Sequence, residues 1–164
     1  MERNGSLLRL TEDGKGLLYA RYIQYQKVLD TEVHEIHLHG RITSGLGEGK
    51  YYMRLDGYRN QFIEKMGFQP YPGTLNIKIA PAEISRVLAL KYMHGTVIKG
   101  FTEHGRTFGD VIAYPARVKG LPCVLIFPVR GHYTDTIEII SKDFLRKKLS
   151  LRDGDEVEVS ISIP

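Results

Sequence analysis

Gly45-Leu46-Gly47-Glu48-Gly49-Lys50-Tyr51 is the stretch on which the interpretation of this chain depends. Three glycines alternate with larger residues, and a lysine follows the last of them. Glycine lets the main chain adopt positive φ angles and lets a ligand approach its N–H groups closely. Successive N–H groups in such a loop form a concave anion site, to which the lysine adds a full charge. The pattern predicts a loop that binds polyphosphate; a glycine-rich hairpin without a ligand is the alternative.

The two familiar phosphate-binding motifs do not describe this loop. The motif G-x-x-x-x-G-K-[ST] needs one more residue between its outer glycines, and Tyr51 stands where a Ser or Thr would hold magnesium. The motif G-x-G-x-x-G fails because the third glycine comes one position too early. The flanking sequence therefore has to indicate the fold.

Short strands are predicted on both sides of the loop. Residues 35–43 alternate between apolar and polar side chains, as in a half-buried strand, and 51–55 are predicted to resume the sheet. Apolar residues at helical spacing predict a helix that ends at Gly67, and Pro81 is expected to open another short helix. Further strands are predicted at 75–79, 96–101, 106–108, 111–118, 122–129, 136–140 and 157–163. This mainly β pattern with a few short helices favours a compact β-barrel.

Two local predictions concern the second half of the chain. Pro115 lies within the strand 111–118, which predicts an edge strand or a bulged strand. Ser141 or Asp143 is expected to cap a short helix. That helix is predicted to bury Phe144, Leu145 and Leu149 and to expose Arg146, Lys147 and Lys148.

Residues 1–32 differ in pattern from the rest of the chain. They predict a short strand at 7–10 and then a helix capped by Thr11, with apolar residues from Leu17 to Leu29. This segment is similar to the last strand and helix of a winged-helix DNA-binding domain, although it holds no recognition helix. An ordinary strand–helix lead-in is the alternative. We therefore expect an N-terminal extension at 1–32 and a barrel domain at 33–164.

Composition and charge narrow the class of protein. The chain has 164 residues, 42% of them apolar and 26% charged, which is typical of a soluble globular domain. Its net charge of +4 fits a phosphorylated small ligand and lacks the strong basic character of a dedicated DNA binder. No apolar run is long enough for a transmembrane helix. The single cysteine, Cys123, cannot form an internal disulfide, so we expect a reducing cytoplasm.

Polar residues on two predicted strands could carry chemistry. Thr74 and Asn76 are two residues apart, so their side chains lie on the same face of a strand. Their neutral oxygens suit Mg²⁺ only if phosphates complete its coordination. Glu138 alternates with apolar neighbours and faces either solvent or a ligand, where it could accept a proton. His37 and His39 share a strand face, but structural or surface histidines are favoured over a metal site.

Five motifs follow one another along the chain: residues 40–52 (GRITSGLGEGKYY), 67–76 (GFQPYPGTLN), 137–140 (IEII), 145–146 (LR) and 151–155 (LRDGD). In this order they resemble the archaeal CTP-dependent riboflavin kinase family. The resemblance covers about residues 35–162. It implies a six-stranded cradle-loop barrel that transfers the γ-phosphate of CTP to the 5′-hydroxyl of riboflavin, giving FMN and CDP.

The resemblance also implies roles for individual residues. Thr74 and Asn76 would bind Mg²⁺, and Glu138 would contact the flavin. Apart from the resemblance, Lys50 is the first choice for offsetting the charge that develops on the transferred phosphate, and Glu138 and Asp135 are the two candidates for the base. A flavin-contacting threonine of the family has no clear counterpart, because Gly131 stands at the equivalent place and Thr134 is the candidate substitute. The nucleotide would be bound by Gly45, Leu46, Gly47, Glu48, Gly49, Lys50, Phe144, Leu145, Arg146 and Lys147.

Two other functions fit parts of the sequence. A flavin- or nucleotide-sensing transcription regulator would use residues 1–32 as part of a winged helix, but no specific nucleic-acid binding is expected of this chain. A flavin carrier would bind FMN without any dependence on CTP. Riboflavin, FMN, CTP and CDP are therefore the expected partners, with no membrane.

Overall fold

The computed structural model describes residues 9–29, 35–129 and 135–163. Its helices are α1 (Glu12–Val28), α2 (Glu48–Tyr52), α3 (Asp56–Met66), α4 (Ile84–Ala89) and α5 (Leu145–Lys148), and 3-10 turns at Pro81–Glu83 and Leu90–Tyr92 flank α4. Its strands are β1 (Glu35–Thr43), β2 (Leu75–Ile79), β3 (Thr96–Ile98), β4 (Phe101–Glu103), β5 (Arg106–Phe108), β6 (Val111–Val118), β7 (Leu121–Pro128), β8 (Thr136–Ile140) and β9 (Glu156–Ser162).

Six antiparallel strands close into a barrel. Their order is β6, β7, β8, β2, β1 and β9, and β9 pairs again with β6 to complete the ring. Apolar and polar side chains alternate along the strands, and the apolar ones fill the barrel interior. In β1, Ile36, Leu38 and Ile42 are buried, whereas His37 and His39 are exposed. The predicted six-stranded barrel with a few short helices is confirmed.

Tyr114 ties the barrel core to the segment after α4. Its side chain is fully buried, and its hydroxyl donates to the carbonyl oxygens of Leu90 at 2.6 Å and Met93 at 3.1 Å. A second apolar cluster lies outside the barrel and includes Phe62 of α3 and Phe108 of β5. Cys123 is buried in the barrel core, and burial raises its pKa to about 12, so the thiol is unreactive.

The predicted strand at 51–55 is wrong. Residues 48–52 form α2, and the chain then turns at Met53 and Arg54. Gly47 adopts φ 82°, which turns the chain directly into the helix. The rings of Tyr51 and Tyr52 pack on Phe108, and this tertiary contact is compatible with either conformation of so short a segment.

The prediction that Pro115 marks an edge strand or a bulged strand is wrong. Strand β6 has neighbours on both sides, and its register with β7 is uninterrupted. It pairs with β7 along its whole length, while its other side is shared by two partners. Residues 111–113 pair with β3, and residues 116–118 pair with β9. Pro115 falls between these two partners, at a point where one side of β6 has no paired strand, which is the kind of position that tolerates proline.

The predicted cap and burial pattern of α5 are also wrong in part. Phe144 occupies the N-cap position without a side-chain hydrogen bond, whereas the Ser141 hydroxyl accepts the N–H of Asp143 in the loop before it. Phe144 is 46% exposed and stacks on the ring of Tyr71, with centroids 5.0 Å apart. Leu145 is buried as expected.

Helix α1 packs against the barrel domain through α4. The hydroxyl of Thr11 accepts the N–H of Gly14, which confirms the predicted cap, and Ala20 and Ile23 are buried in the same core as the barrel residues. The strand predicted at 7–10 falls mostly outside the described residues, and Arg9 and Leu10 lie in no strand. Among the described helices, none has the length and apolar character needed to span a membrane.

Candidate active site

A cavity of about 860 Å³ opens beside residues 45–50, which we call the glycine loop. Its volume lies toward the upper end of the range of small-molecule sites. Residues 43–50 form one wall, and β2, β7 and β8 contribute the others. Polar residues that line it include Thr74, Asn76, Glu138 and Arg146, while Ile126, Phe127, Pro128, Val129 and Ile137 supply apolar surface.

The glycine loop lies directly over the Thr74 and Asn76 side chains. A Cβ atom added to Gly45 would be 2.5 Å from Asn76 Nδ2, and one added to Gly49 would collide with the Thr74 hydroxyl. Glycine at these positions therefore permits the close approach of loop and strand. The loop is not packed shut, because Leu46 is 97% exposed and Gly47 has no other atom near its added Cβ position.

Thr74, Asn76 and Glu138 form a polar group beneath the loop. Asn76 of β2 lies opposite Glu138 of β8 in the sheet register, and the Thr74 hydroxyl donates to Glu138 Oε1 at 3.1 Å. Burial raises the pKa of Glu138, and the nearby charge of Glu48 adds to this effect, while the hydrogen bond from Thr74 opposes it. The carboxyl is therefore a better proton acceptor than an ordinary surface glutamate.

The same group fits a magnesium ion that is shared with phosphates. A hydroxyl oxygen, an amide oxygen and a carboxylate are hard donors of the kind that Mg²⁺ prefers. Two neutral ligands leave most positions to phosphate oxygens and water, which the adjacent loop could supply through a bound nucleotide. Among the residues that the structure describes, no cluster of three or more His, Cys, Asp or Glu forms an independent metal site.

Arg146 and Asp153 connect the cavity to the start of the glycine loop. Arg146 donates to the carbonyl oxygen of Thr43 at 2.8 Å and pairs with Asp153 Oδ1 at 2.7 Å. The hydroxyl of Ser44 donates to Asp153 Oδ2 at 2.6 Å. The pKa of Asp153 is lowered by the hydrogen bonds from Ser44 and Arg146, so the carboxylate stays charged. Both oxygens of Asp153 thus hold the segment that leads into the loop.

The remaining candidate residues lie at different places. Lys50 is exposed and lines the cavity with Glu48. Phe144 and Leu145 line a smaller adjacent pocket, while exposed Lys147 lines neither. Gly131 and Thr134 lie outside the described residues, and the flavin contact assigned to them stays a prediction.

Sequence reasoning did not single out four residues that line the far part of the cavity, namely Asp13, Val87, Leu88 and Lys91. They come from α1, α4 and the turn after α4, and no motif marks them, because the fold alone brings these segments to the cavity. The histidine pair has polar partners: His37 Nδ1 lies 2.7 Å from a carboxylate oxygen of Glu158, and His39 Nδ1 lies 3.0 Å from one of Glu83.

Comparison with known proteins gives one consistent family. Residues 42–161 match the family model of the CTP-dependent riboflavin kinase domain, whose description reads Domain of unknown function DUF120. A riboflavin kinase of Archaeoglobus fulgidus is 44% identical over 98% of this chain and 69% of its own length. Riboflavin kinases of Thermoplasma acidophilum and Ignicoccus hospitalis are 41% and 43% identical, over 97% and 94% of this chain and 72% and 81% of their own lengths. This chain therefore belongs to the CTP-dependent riboflavin kinase family.

Proposed function

We propose that this protein transfers the γ-phosphate of CTP to the 5′-hydroxyl of riboflavin and releases FMN and CDP. The observation that carries the proposal is the contact of the glycine loop with Thr74 and Asn76 inside one cavity. A phosphate-binding loop and a pair of magnesium donors are both needed, and they are adjacent. The riboflavin kinases among the relatives support the choice of acceptor.

The loop and its cations bind and orient the triphosphate. The N–H groups of residues 45–49 and the ammonium of Lys50 would bind the phosphates, whereas the Lys50 N–H already donates to the carbonyl oxygen of Gly47, and Arg146 supplies a second cation at the cavity wall. Thr74 and Asn76 would hold Mg²⁺, which when bound neutralises charge on the β- and γ-phosphates. Phosphoryl transfer depends mainly on positioning and charge stabilisation, so these groups suffice for most of the catalysis.

Glu138 is the proposed proton acceptor. The riboflavin hydroxyl forms a bond to the γ-phosphorus as the bond to the β-phosphate oxygen breaks, and CDP leaves with that oxygen. The hydroxyl proton passes to the Glu138 carboxylate, whose raised pKa favours this transfer. The hydrogen bond from Thr74 fixes the carboxylate on the cavity side of β8.

Nucleotide and metal dependence test the proposal. Purified protein should form FMN from riboflavin with CTP and Mg²⁺, and much less with ATP. Thr74→Val and Asn76→Ala should each raise the Mg²⁺ concentration needed for half-maximal activity about tenfold or more. Thr107→Val on the β4–β5 hairpin is the matched control, since Thr107 contacts Thr102 and lies outside the cavity lining. Absence of FMN with every nucleoside triphosphate would overturn the proposed reaction.

We place the enzyme in the cytoplasm, because a chain with a single cysteine forms no internal disulfide and so suits a reducing compartment.

A further inference from the structure

The cavity continues away from the glycine loop to a second polar end. Asp13 of α1 and Lys91 of the turn after α4 line this far end, together with Val87 and Leu88 of α4. The CTP phosphates occupy the loop end in the proposed reaction, so the far end is left for another part of a ligand. A cavity of about 860 Å³ has room for more than a nucleotide alone.

Apolar surface and one fixed cation make up the far end. Val87 and Leu88 line this end but are only 1% and 4% exposed, so the more exposed Val129, at 49%, supplies the larger part of the apolar surface among these three. This combination suits a flat ring system that is apolar along one edge and carries carbonyl and ring-nitrogen acceptors along the other. The isoalloxazine ring of riboflavin has this character, whereas a triphosphate does not.

The ammonium group of Lys91 is held in place by α1. Lys91 Nζ lies 3.2 Å from Asp13 Oδ1, and the Tyr92 hydroxyl donates to Asp13 Oδ2. The same ammonium lies 5.5 Å from the centre of the Tyr92 ring. An ammonium has three N–H donors, so the bond to Asp13 leaves donors for a ligand in the cavity.

Helix α1 is fixed firmly enough to position Asp13. Its Gly16 lies against α4 so closely that an added Cβ would be 2.7 Å from the Cβ of Leu88. Ala20 and Ile23, on the same face, are each 1% exposed. The helix lies outside residues 42–161, the part matched by the family model, yet the full-length relatives align across it. It therefore contributes a cavity wall that the matched domain does not contain.

We propose that the end of the cavity between α1 and α4 binds the isoalloxazine ring of riboflavin, with Lys91 donating to an acceptor on the ring and Asp13 as the residue that positions Lys91. This inference rests on the proposed function, because it takes riboflavin as the acceptor substrate. It gives the N-terminal helix a role in substrate binding and makes α1 part of the kinase site.

The competing explanation is an ordinary surface ion pair that only fastens α1 to the barrel domain. Such exposed pairs stabilise proteins little, and their loss leaves ligand affinity unchanged. The two explanations therefore differ in their effect on flavin binding. The exposed pair of Glu12 and Lys15, 2.6 Å apart on the same turn of α1, provides a matched control because neither residue lines the cavity.

The test uses Lys91→Met, Asp13→Asn and the control Lys15→Met. Riboflavin binding is measured by the change in flavin fluorescence, which needs no turnover, and KM values for riboflavin and CTP are measured by FMN formation. Lys91→Met should raise the riboflavin dissociation constant and KM about tenfold, as expected for a lost hydrogen bond from a charged donor, with the KM for CTP unchanged. Asp13→Asn should give a smaller increase, and Lys15→Met should behave as wild type.

Two results overturn the inference. One is wild-type riboflavin binding in both Lys91→Met and Asp13→Asn; the other is an increase confined to the KM for CTP. Thermal unfolding shows whether each variant is folded, and if Asp13→Asn is not, Lys91→Met decides. Failure of the proposed function looks different, because wild-type protein would then form no FMN, while the fluorescence measurement would still decide whether Lys91 contributes to flavin binding.

Discussion

Two of the three glycines in the glycine loop, Gly47 and Gly49, should respond differently to alanine. At Gly49 the new methyl group would collide with the Thr74 hydroxyl and lie 2.7 Å from Thr74 Cγ2, so Thr74 must move. Gly49 lies within α2, where alanine is favoured over glycine by about 1 kcal/mol. We therefore expect Gly49→Ala to keep most of its stability and to lose activity. Misplacing one reacting group by an ångström can lower the rate about 100-fold, which is the expected size of the loss.

Gly47→Ala should show the opposite pattern, with lower stability and little loss of activity. No atom lies within 4 Å of the added Cβ, but φ is 82°, a conformation that costs an L-residue about 1–2 kcal/mol. For a chain of this size each kcal/mol lowers the melting temperature by roughly 2–4 °C. Gly67→Ala is the control, because Gly67 has φ 77° and equally open surroundings at the end of α3, outside the cavity lining.

The assay combines thermal unfolding with CTP-dependent FMN formation over a range of Mg²⁺ concentrations. Gly47→Ala and Gly67→Ala should lose similar stability, and Gly67→Ala should keep wild-type kinetics. The reasoning is refuted if Gly49→Ala retains the wild-type Mg²⁺ dependence and KM for CTP, because Thr74 would then not need its present position.

Three further substitutions test other contacts. Asp153→Asn removes the charge that holds Arg146 and should raise the KM for CTP about fivefold with a smaller change in kcat, measured by steady-state kinetics. Tyr114→Phe removes the hydroxyl that donates to the carbonyl oxygens of Leu90 and Met93, of which Leu90 keeps a 3.3 Å bond from the Met93 N–H, and should lower the free energy of unfolding by about 1–3 kcal/mol, measured in urea. His39→Gln should flatten the pH dependence of the melting temperature. Hydrogen bonding to Glu83 raises the pKa of His39. The stabilisation that this pairing gives the folded protein is therefore complete below the ordinary histidine pKa of about 6.5 and is lost as the pH rises through the raised pKa.

The first of these substitutions has a control, and each of the three has a contrary outcome. Asp56→Asn, which removes a carboxylate paired with Arg59 outside the cavity lining, should leave CTP kinetics unchanged, and an equal effect of both substitutions would remove the role of Asp153. An unchanged urea midpoint for Tyr114→Phe would show that the two carbonyl oxygens find other donors. A wild-type pH profile in His39→Gln would mean that the pairing with Glu83 does not persist in solution.

Periodicity in the sequence predicted most of the barrel because long alternating segments have few alternatives. Residues 35–43 alternate strictly, and the strand β1 has those same bounds. The segment 51–55 is short and aromatic, so its pattern does not distinguish a strand from a helix, and it is Gly47, with φ 82°, that turns the chain into α2. Pro115 was misinterpreted for a similar reason, since only the closed topology shows that two partners share one side of β6.

The candidate site was predictable where a local motif carries the chemistry. Thr74 and Asn76 share a strand face, and the glycine loop precedes them with a recognisable pattern, so both could be placed in one site from the sequence. Asp153 and Lys91 could not be assigned roles in this way. Each acts through a partner distant in the chain, Ser44 for the first and Asp13 for the second, and no spacing rule connects such pairs.

The strand pairing has a consequence for synthesis of the protein on the ribosome. Strand β9 lies between β1 and β6, and the main chain of Ile42 bonds to Gly154 and Asp155 at distances of 2.8 and 2.9 Å. The glycine loop is translated early. The residues that secure the segment before it, Asp153 to Asp155, are translated more than a hundred positions later. Pairings so distant along the chain form slowly. A nascent chain should therefore acquire its capacity to bind nucleotide only when the last strand has left the exit tunnel, so a ribosome stalled before β9 would present a barrel that is still open and inactive.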